Sequence, residues 1–170
     1  MSSVIVPKSS EKQQLNPSRP DLKSLRHSLA HIMAQAVRDL LAAEGAVSFA
    51  GGPAIEDGFY YDFALPRPLV PEDLEAIEKR MREILKADHI FHYEEISADE
   101  AKVLFKSQVF KLAILEGLDK GELDENAEEK SSQEVIPISI YRHADFVDLC
   151  RGPHVSSSAQ IPPDSFKLLK

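Results

Sequence analysis

An apolar pattern of helical spacing near the amino-terminal end is the strongest constraint on the fold of this 170-residue chain. Between Asp21 and about Glu44, apolar residues recur every three to four positions, and a second apolar stripe runs beside the first. Asp21 is a suitable N-cap for a helix that begins directly after it. Such a helix is apolar over most of its circumference, so it is expected to be buried against other elements.

Two histidines, His27 and His31, lie at the border of the narrow polar sector of this helix. Their spacing of four residues brings both rings to one face, where they could bind a common ion or water. The residue after His27 is Ser28 rather than a glutamate, so this is not the zinc-protease helix. A chance pair of surface histidines remains the alternative.

A second pair, Cys150 and His154, brackets Arg151-Gly152-Pro153 in a loop pattern, because glycine and proline interrupt a helix there. Cys150 is the one cysteine of the chain and is therefore a free thiol, a metal ligand or an inert core residue. Together the two pairs offer three imidazoles and one thiol, a set suited to holding Zn²⁺ or to positioning a water. The alternative is a turn with a buried cysteine and an exposed histidine.

Other polar residues have functional and structural readings. Asp148 could orient an imidazole or hold an amine. Tyr61 follows Tyr60 in a strand pattern, so one of the two can pack in the core while the other faces a cleft. Lys111 lies among apolar neighbours and is either a boundary lysine or a cation that faces a phosphate or a developing negative charge. The histidines without paired spacing are interpreted as surface or strand residues: His89, His92 and His143.

The remaining elements predict one α+β domain over 21–170, mainly an antiparallel sheet with helices packed on one face, including the long helix that carries His27 and His31. Residues 1–20 are expected to be a mobile tail. Further helices are predicted from Pro71, after a Ser97–Glu100 capping box, and over Val109–Leu118. The predicted strands are 47–50, 59–63, 90–96, 135–141, 145–150 and 165–169.

Charge and hydropathy exclude some classes of protein. The net charge of −8 argues against a protein that coats nucleic acid, although a local contact with RNA is compatible with it. The acidic segment 119–134 is interpreted as a solvated surface. No apolar run is long enough to span a membrane, and residues 1–20 contain no signal-peptide core. We therefore expect a cytoplasmic protein.

Three motifs resemble the editing domain of bacterial-type threonyl-tRNA synthetase: HSLAH (27–31), GPAIEDGFYYDF (52–63) and DLCRGPH (148–154). The resemblance covers about residues 22–170. It implies hydrolysis of serine wrongly attached to threonine tRNA, with the charged 3′ end of that tRNA as partner and a covalently linked aminoacylation core in the full-length enzyme. It further implies a set of catalytic residues and one substrate-binding residue: His27, His31, Cys150, His154, Lys111 and Asp148 for catalysis, and Tyr61 for substrate.

The resemblance implies no required cofactor, because the threonyl-tRNA synthetase members of the family are usually interpreted as working without metal. If zinc is present, the same two doublets would hold it. The chain matches neither the ubiquitin-like domain nor the aminoacylation core of these synthetases, so we expect it neither to bind ATP nor to charge tRNA. Three alternatives stay open: a zinc-dependent hydrolase, a freestanding trans-editing enzyme of the alanyl-tRNA editing type, and a non-catalytic tRNA-docking module.

Overall fold

The first helix, α1, spans Leu22–Leu41 in a computed structural model that describes residues 20–119 and 137–169. Asp21 is its N-cap, and the Asp21 carboxylate accepts a hydrogen bond from the Ser24 backbone N–H at 3.0 Å. The helix ends three residues before the predicted Glu44. Most of its surface is buried, as the two apolar stripes predict. Helix α2 (Pro71–Lys86) packs along it and begins at the predicted proline.

The strands confirm the predicted antiparallel α+β architecture, divided among three small sheets in the described residues. Strands β1 (Ser48–Phe49) and β4 (Phe63–Ala64) form one pair, and β2 (Ala54–Ile55) and β3 (Gly58–Phe59) form a second. The third sheet contains β5 (His92–Ile96), β6 (Ile138–His143) and β7 (Phe146–Leu149). Its strand order is β5-β6-β7, with β5 paired to β6.

Two short helices lie between β5 and β6 and close a second, smaller core. Helix α3 (Ala98–Leu104) begins at the predicted capping box, and α4 spans Val109–Asp119. Gln108, just before α4, pairs with the backbone of β1: its amide oxygen accepts from Phe49 N–H at 2.9 Å, and its amide nitrogen donates to Val47 O at 3.1 Å. These bonds seat α4 against β1 and bring Lys111 toward the main core.

The prediction of a continuous strand over 59–63 is wrong. The chain changes its pairing partner inside this segment, because β3 pairs with β2 whereas β4 pairs with β1. Between them, Asp62 joins the edge of β1 through Asp62 N–H to Gly51 O at 2.9 Å and Ala50 N–H to Asp62 O at 3.0 Å.

The predicted strand over 165–169 is also wrong. Phe166 and Leu168 pack against the main core, and the Leu168 N–H donates to the Glu78 carboxylate at 2.8 Å instead of to a neighbouring strand. The predicted tail, the acidic segment and the start of the strand over 135–141 lie almost entirely outside the described residues. Among the helices that are described, none is both long and apolar enough to cross a bilayer.

Candidate active site

Helix α1 and the loop after β7 bring the two predicted doublets together. His27, His31, Cys150 and His154 each offer one ligand-type atom, and these four atoms all lie within 4.8 Å of one another. One of these contacts joins residues 123 positions apart in the sequence, with Cys150 Sγ 3.3 Å from His27 Nε2. His31 is fully buried, whereas the other three side chains are partly exposed. We refer to the surface that these four side chains form between α1 and the loop after β7 as the cleft.

The hydrogen bonds determine where the protons of this cleft reside. His27 Nδ1 lies 3.2 Å from the Pro153 carbonyl oxygen, which can only accept, so Nδ1 of His27 carries a hydrogen. In the neutral ring, Nε2 of His27 is then an acceptor, and the Cys150 thiol is the group that donates to it. Cys150 Sγ also accepts from the Gly152 N–H at 3.2 Å and lies 3.2 Å from His154 Nε2.

The Cys150 sulfur is a protonated thiol at neutral pH. Burial raises its pKa to about 12, and the nearby Asp148 carboxylate acts in the same direction. Because the thiolate is the nucleophilic form of cysteine, this environment is unsuited to covalent catalysis. The sulfur instead holds the cleft together through hydrogen-bonding contacts with His27, His154 and the Gly152 N–H.

Ser28 joins the helix to the loop, although neither its residue type nor its spacing predicted a place in the site. Its hydroxyl lies 2.9 Å from His154 Nδ1 and accepts from the Val155 N–H at 3.0 Å. The ring of His154 is also packed against Tyr141, with centroids 4.4 Å apart. The only sequence signal for Ser28 was its place between the two histidines of HSLAH.

The imidazoles of the cleft are uncharged at neutral pH. Burial is the main cause that lowers the pKa of His27, His31 and His154 below the ordinary value of 6.5. For His31 and His154, the close packing of the rings adds to this effect, since protonating one ring would place a positive charge beside its neighbours. The centroids of these two rings are 4.3 Å apart. The cleft therefore presents lone pairs and neutral donors.

The other three predicted residues form a buried network behind His31. The Asp148 carboxylate accepts from Lys111 Nζ at 2.6 Å and from the Tyr61 hydroxyl at 2.6 Å, and it lies 3.5 Å from His31 Nε2. The Lys111 ammonium also donates to Ala50 O at 2.9 Å and to the Tyr61 oxygen at 3.2 Å. Burial and the Asp148 charge raise the pKa of Tyr61, so Tyr61 remains a donor.

Burial separates this network from the cleft surface. Lys111 is 3% exposed, so it is not the boundary lysine that the sequence allowed. Tyr61, rather than Tyr60, is the tyrosine that points inward, and Tyr60 is exposed. The network is therefore suited to orient the His31 ring through Asp148. Direct contact of Lys111, Asp148 and Tyr61 with a substrate remains a prediction.

His143 is a strand residue on β6, one of the two positions that its interpretation allowed, and it is fully buried. Its ring stacks on Phe91 with centroids 4.6 Å apart and lies near His31 at 6.4 Å. Within the described residues, neither ring nitrogen has a hydrogen-bond partner, and burial lowers its pKa to about 3. The spacing of histidines in the sequence did not point to His143, because it has no partner a few residues away as His27 and His31 have.

The donor set fits a zinc ion. Three imidazoles and one sulfur are typical zinc ligands, and the three histidines contact outer groups that could orient them, namely Pro153 O, Ser28 Oγ and the Asp148 carboxylate. In addition, His31 Nδ1 is buried and has no hydrogen-bond partner in the described part of the chain. The same atoms also suit a metal-free cleft, in which they would hold a water and an ester.

Comparisons with known proteins agree with the motifs. Residues 138–170 match the family described as the threonyl and alanyl tRNA synthetase second additional domain. A threonine–tRNA ligase of Dehalococcoides mccartyi is 44% identical over 92% of this chain and 24% of its own length. Its counterpart in Nitrosococcus oceani is 46% identical over 88% of this chain and 20% of its own length. The chain thus spans about a fifth to a quarter of these curated relatives.

Proposed function

This chain belongs to the threonyl-tRNA synthetase family, in which it matches the second additional domain, and we propose that it hydrolyses serine wrongly attached to threonine tRNA. In this reaction, water adds to the ester carbonyl between serine and the terminal ribose. The ester C–O bond then breaks, and the products are free serine and uncharged tRNA. The ligase activity and aminoacylation core of a longer parent protein are part of the same proposal.

A separate hydrolytic site is useful because a single binding step discriminates poorly between serine and threonine. Serine is smaller than threonine by one methyl group, and one methyl in a pocket contributes only about 1–3 kcal/mol to discrimination. A second site that admits the smaller side chain and crowds the larger one adds a second selection step. We assign this crowding to the cleft between α1 and the Cys150–His154 loop.

The contact among His27, Cys150 and His154 is the observation that carries the proposal. The thiol is protonated and the imidazoles are neutral, so the cleft supports attack by water rather than by sulfur. His27 Nε2 is the candidate acceptor for a proton of that water, which would replace the Cys150 thiol as the hydrogen-bond donor to this nitrogen while Pro153 O holds the Nδ1–H. His154 Nε2 could donate to the ester.

His31 and the buried network have a supporting role in this proposal. The Asp148 carboxylate lies beside His31 Nε2 and can hold the ring in one tautomer. Asp148 is in turn held by Lys111 and Tyr61. These residues are therefore proposed to position the histidine cluster, and each would act through another group.

A zinc-dependent hydrolase is the second candidate, favoured by the convergence of four ligand-type atoms. Zinc held by these residues would polarise the ester and activate a water. We expect the metal-free alternative, because filling all four positions would leave no place for the reacting water. Elemental analysis of protein purified without added metal tests this. Stoichiometric zinc, lost together with activity on chelation, would favour the zinc enzyme.

A deacylation assay tests the function directly. Wild-type protein should release serine from Ser-tRNA(Thr) and leave Thr-tRNA(Thr) largely intact at the same salt concentration. His27→Ala should slow this reaction by about 10²–10⁴-fold, as expected for loss of a positioned proton acceptor. His92→Ala is the matched control, since His92 is an exposed histidine on β5 and should leave the rate unchanged.

Three outcomes would contradict the proposal. Equal rates on both charged tRNAs would remove the editing assignment, and full activity of His27→Ala would remove the assigned cleft. If the protein binds tRNA but leaves both esters intact, it is the non-catalytic docking module.

A further inference from the structure

A cavity lies about one helical turn from the cleft, on the amino-terminal side of His27. It has a volume of about 290 Å³ and is lined by Lys23 and Arg26 of α1 and by residues 54–56 of the β2–β3 hairpin. Nothing in the editing proposal uses these residues. We propose that this cavity binds a backbone phosphate of the single-stranded 3′ end of the tRNA, immediately upstream of the terminal adenosine.

The position of the cavity fits the spacing of a nucleic-acid chain. Lys23 and His27 are four residues apart on α1, so their side chains are neighbours on one face. The Lys23 charge also acts on the His27 ring. Four residues of helix rise about 6 Å, which is close to the distance between successive units of a single strand. A terminal ribose at His27 would thus place the preceding phosphate beside Lys23.

The chemistry of the lining suits a nucleotide. Arg26 is held against the hairpin, because its guanidinium donates to the carbonyl oxygens of Ile55, at 3.2 Å, and Glu56. Its charge is therefore fixed at the cavity wall. Lys23 is exposed and free to meet a phosphate, and the exposed apolar side chain of Ile55 offers a surface for a base.

The charge of the cavity lining is opposite in sign to the net charge of the chain. The protein carries a net charge of −8, yet this cavity has two cationic side chains and one carboxylate, that of Glu56. Phosphate contacts of this kind supply affinity without reading sequence. The inference rests on the proposed editing function and names the part of the tRNA that the cavity holds.

Binding is the first test, because it does not depend on hydrolysis. The probe is an uncharged, fluorescently labelled ribo-oligonucleotide that ends in CCA, titrated at several salt concentrations. We expect Lys23→Gln to raise the Kd about fivefold and to reduce the salt slope by about 0.7, the value for one phosphate contact on a single strand. Glu56→Gln should lower the Kd. Lys79→Gln, at an exposed lysine of α2, is the matched control.

Kinetics then separate this cavity from the cleft. Lys23→Gln should raise the KM for Ser-tRNA(Thr) more than the KM for a seryl ester of adenosine, which lacks the upstream phosphate. An unchanged Kd for the oligonucleotide, or equal effects on both esters, would overturn the phosphate site. If wild-type protein binds the oligonucleotide through Lys23 but cleaves neither ester, the editing function fails while the phosphate site stands.

Discussion

Replacing Lys111 with methionine tests the buried network most directly. The substitution keeps much of the apolar stem and removes the ammonium. In the wild type, the three N–H donors of that ammonium are matched by Asp148 Oδ1 at 2.6 Å, Ala50 O at 2.9 Å and the Tyr61 oxygen at 3.2 Å. In Lys111→Met, the Asp148 carboxylate stays buried with only the Tyr61 hydroxyl and His31 beside it.

The expected cost follows from leaving a charge without its partner. Asp148 is 3% exposed, so water cannot replace the ammonium without rearrangement of the fold. Breaking a buried ion pair in this way typically costs about 3–5 kcal/mol. For a domain of this size, 1 kcal/mol shifts the Tm by about 2–4 °C, so the Tm should fall by about 10 °C.

Urea unfolding at pH 7, followed by circular dichroism, measures this cost. The free energy of unfolding should decrease by about 3–5 kcal/mol with an unchanged urea slope. Lys79→Met is the matched control on the exposed surface of α2 and should change stability by less than about 0.5 kcal/mol. Adding Asp148→Asn to Lys111→Met should recover part of the loss, because asparagine buries no charge.

Two results would refute this reasoning. If Lys111→Met loses less than about 1 kcal/mol, the pair is not buried and unscreened as described. If the two substitutions are simply additive, Lys111 and Asp148 do not depend on each other.

Three further predictions concern the cleft and its walls. Cys150 should react slowly with iodoacetamide at pH 8, because its pKa is raised to about 12; rapid stoichiometric alkylation seen by mass spectrometry would contradict this. The pKa of His143 is about 3 in the folded state and about 6.5 when unfolded, so His143 should lower the free energy of unfolding as the pH falls from 6.5 toward 3. His143→Phe should reduce that loss by about 1.4 kcal/mol per pH unit. If urea unfolding shows the same loss of free energy between pH 6.5 and 5 in both proteins, this prediction is refuted. Gly152→Ala should lower the Tm and slow deacylation, since Gly152 has φ +75° and an added Cβ would lie 2.6 Å from the Tyr141 hydroxyl oxygen. Gly51→Ala is the control, because a Cβ added at Gly51 would meet open space. Equal Tm values for the two variants would count against the close contact at Gly152.

Local chemistry explains which parts of the fold were predicted. The N-cap at Asp21, the proline that begins α2 and the capping box before α3 are decided by neighbouring residues, and each lies where it was expected. The strand over 59–63 was not predictable in this way. Its apolar and aromatic residues are typical of a strand, but two different partners pair with its two ends.

The sequence by itself determined the long buried helix, the pairs His27/His31 and Cys150/His154, and the family to which the chain belongs. Periodicity, spacing and motif are properties of the chain that no tertiary contact has to supply. The spacing of four residues on a helix already places two imidazoles on one face.

Only the tertiary structure decided how these groups behave. Ser28 reaches Val155 and His154 across about 126 positions of chain, and Lys111 on α4 contacts Asp148 on β7. The protonated thiol and the neutral imidazoles arise from desolvation, which depends on every element packed around a group. His143 shows this most plainly, because its burial by Phe91 and its neighbours sets its pKa and no pattern of nearby residues could reveal it.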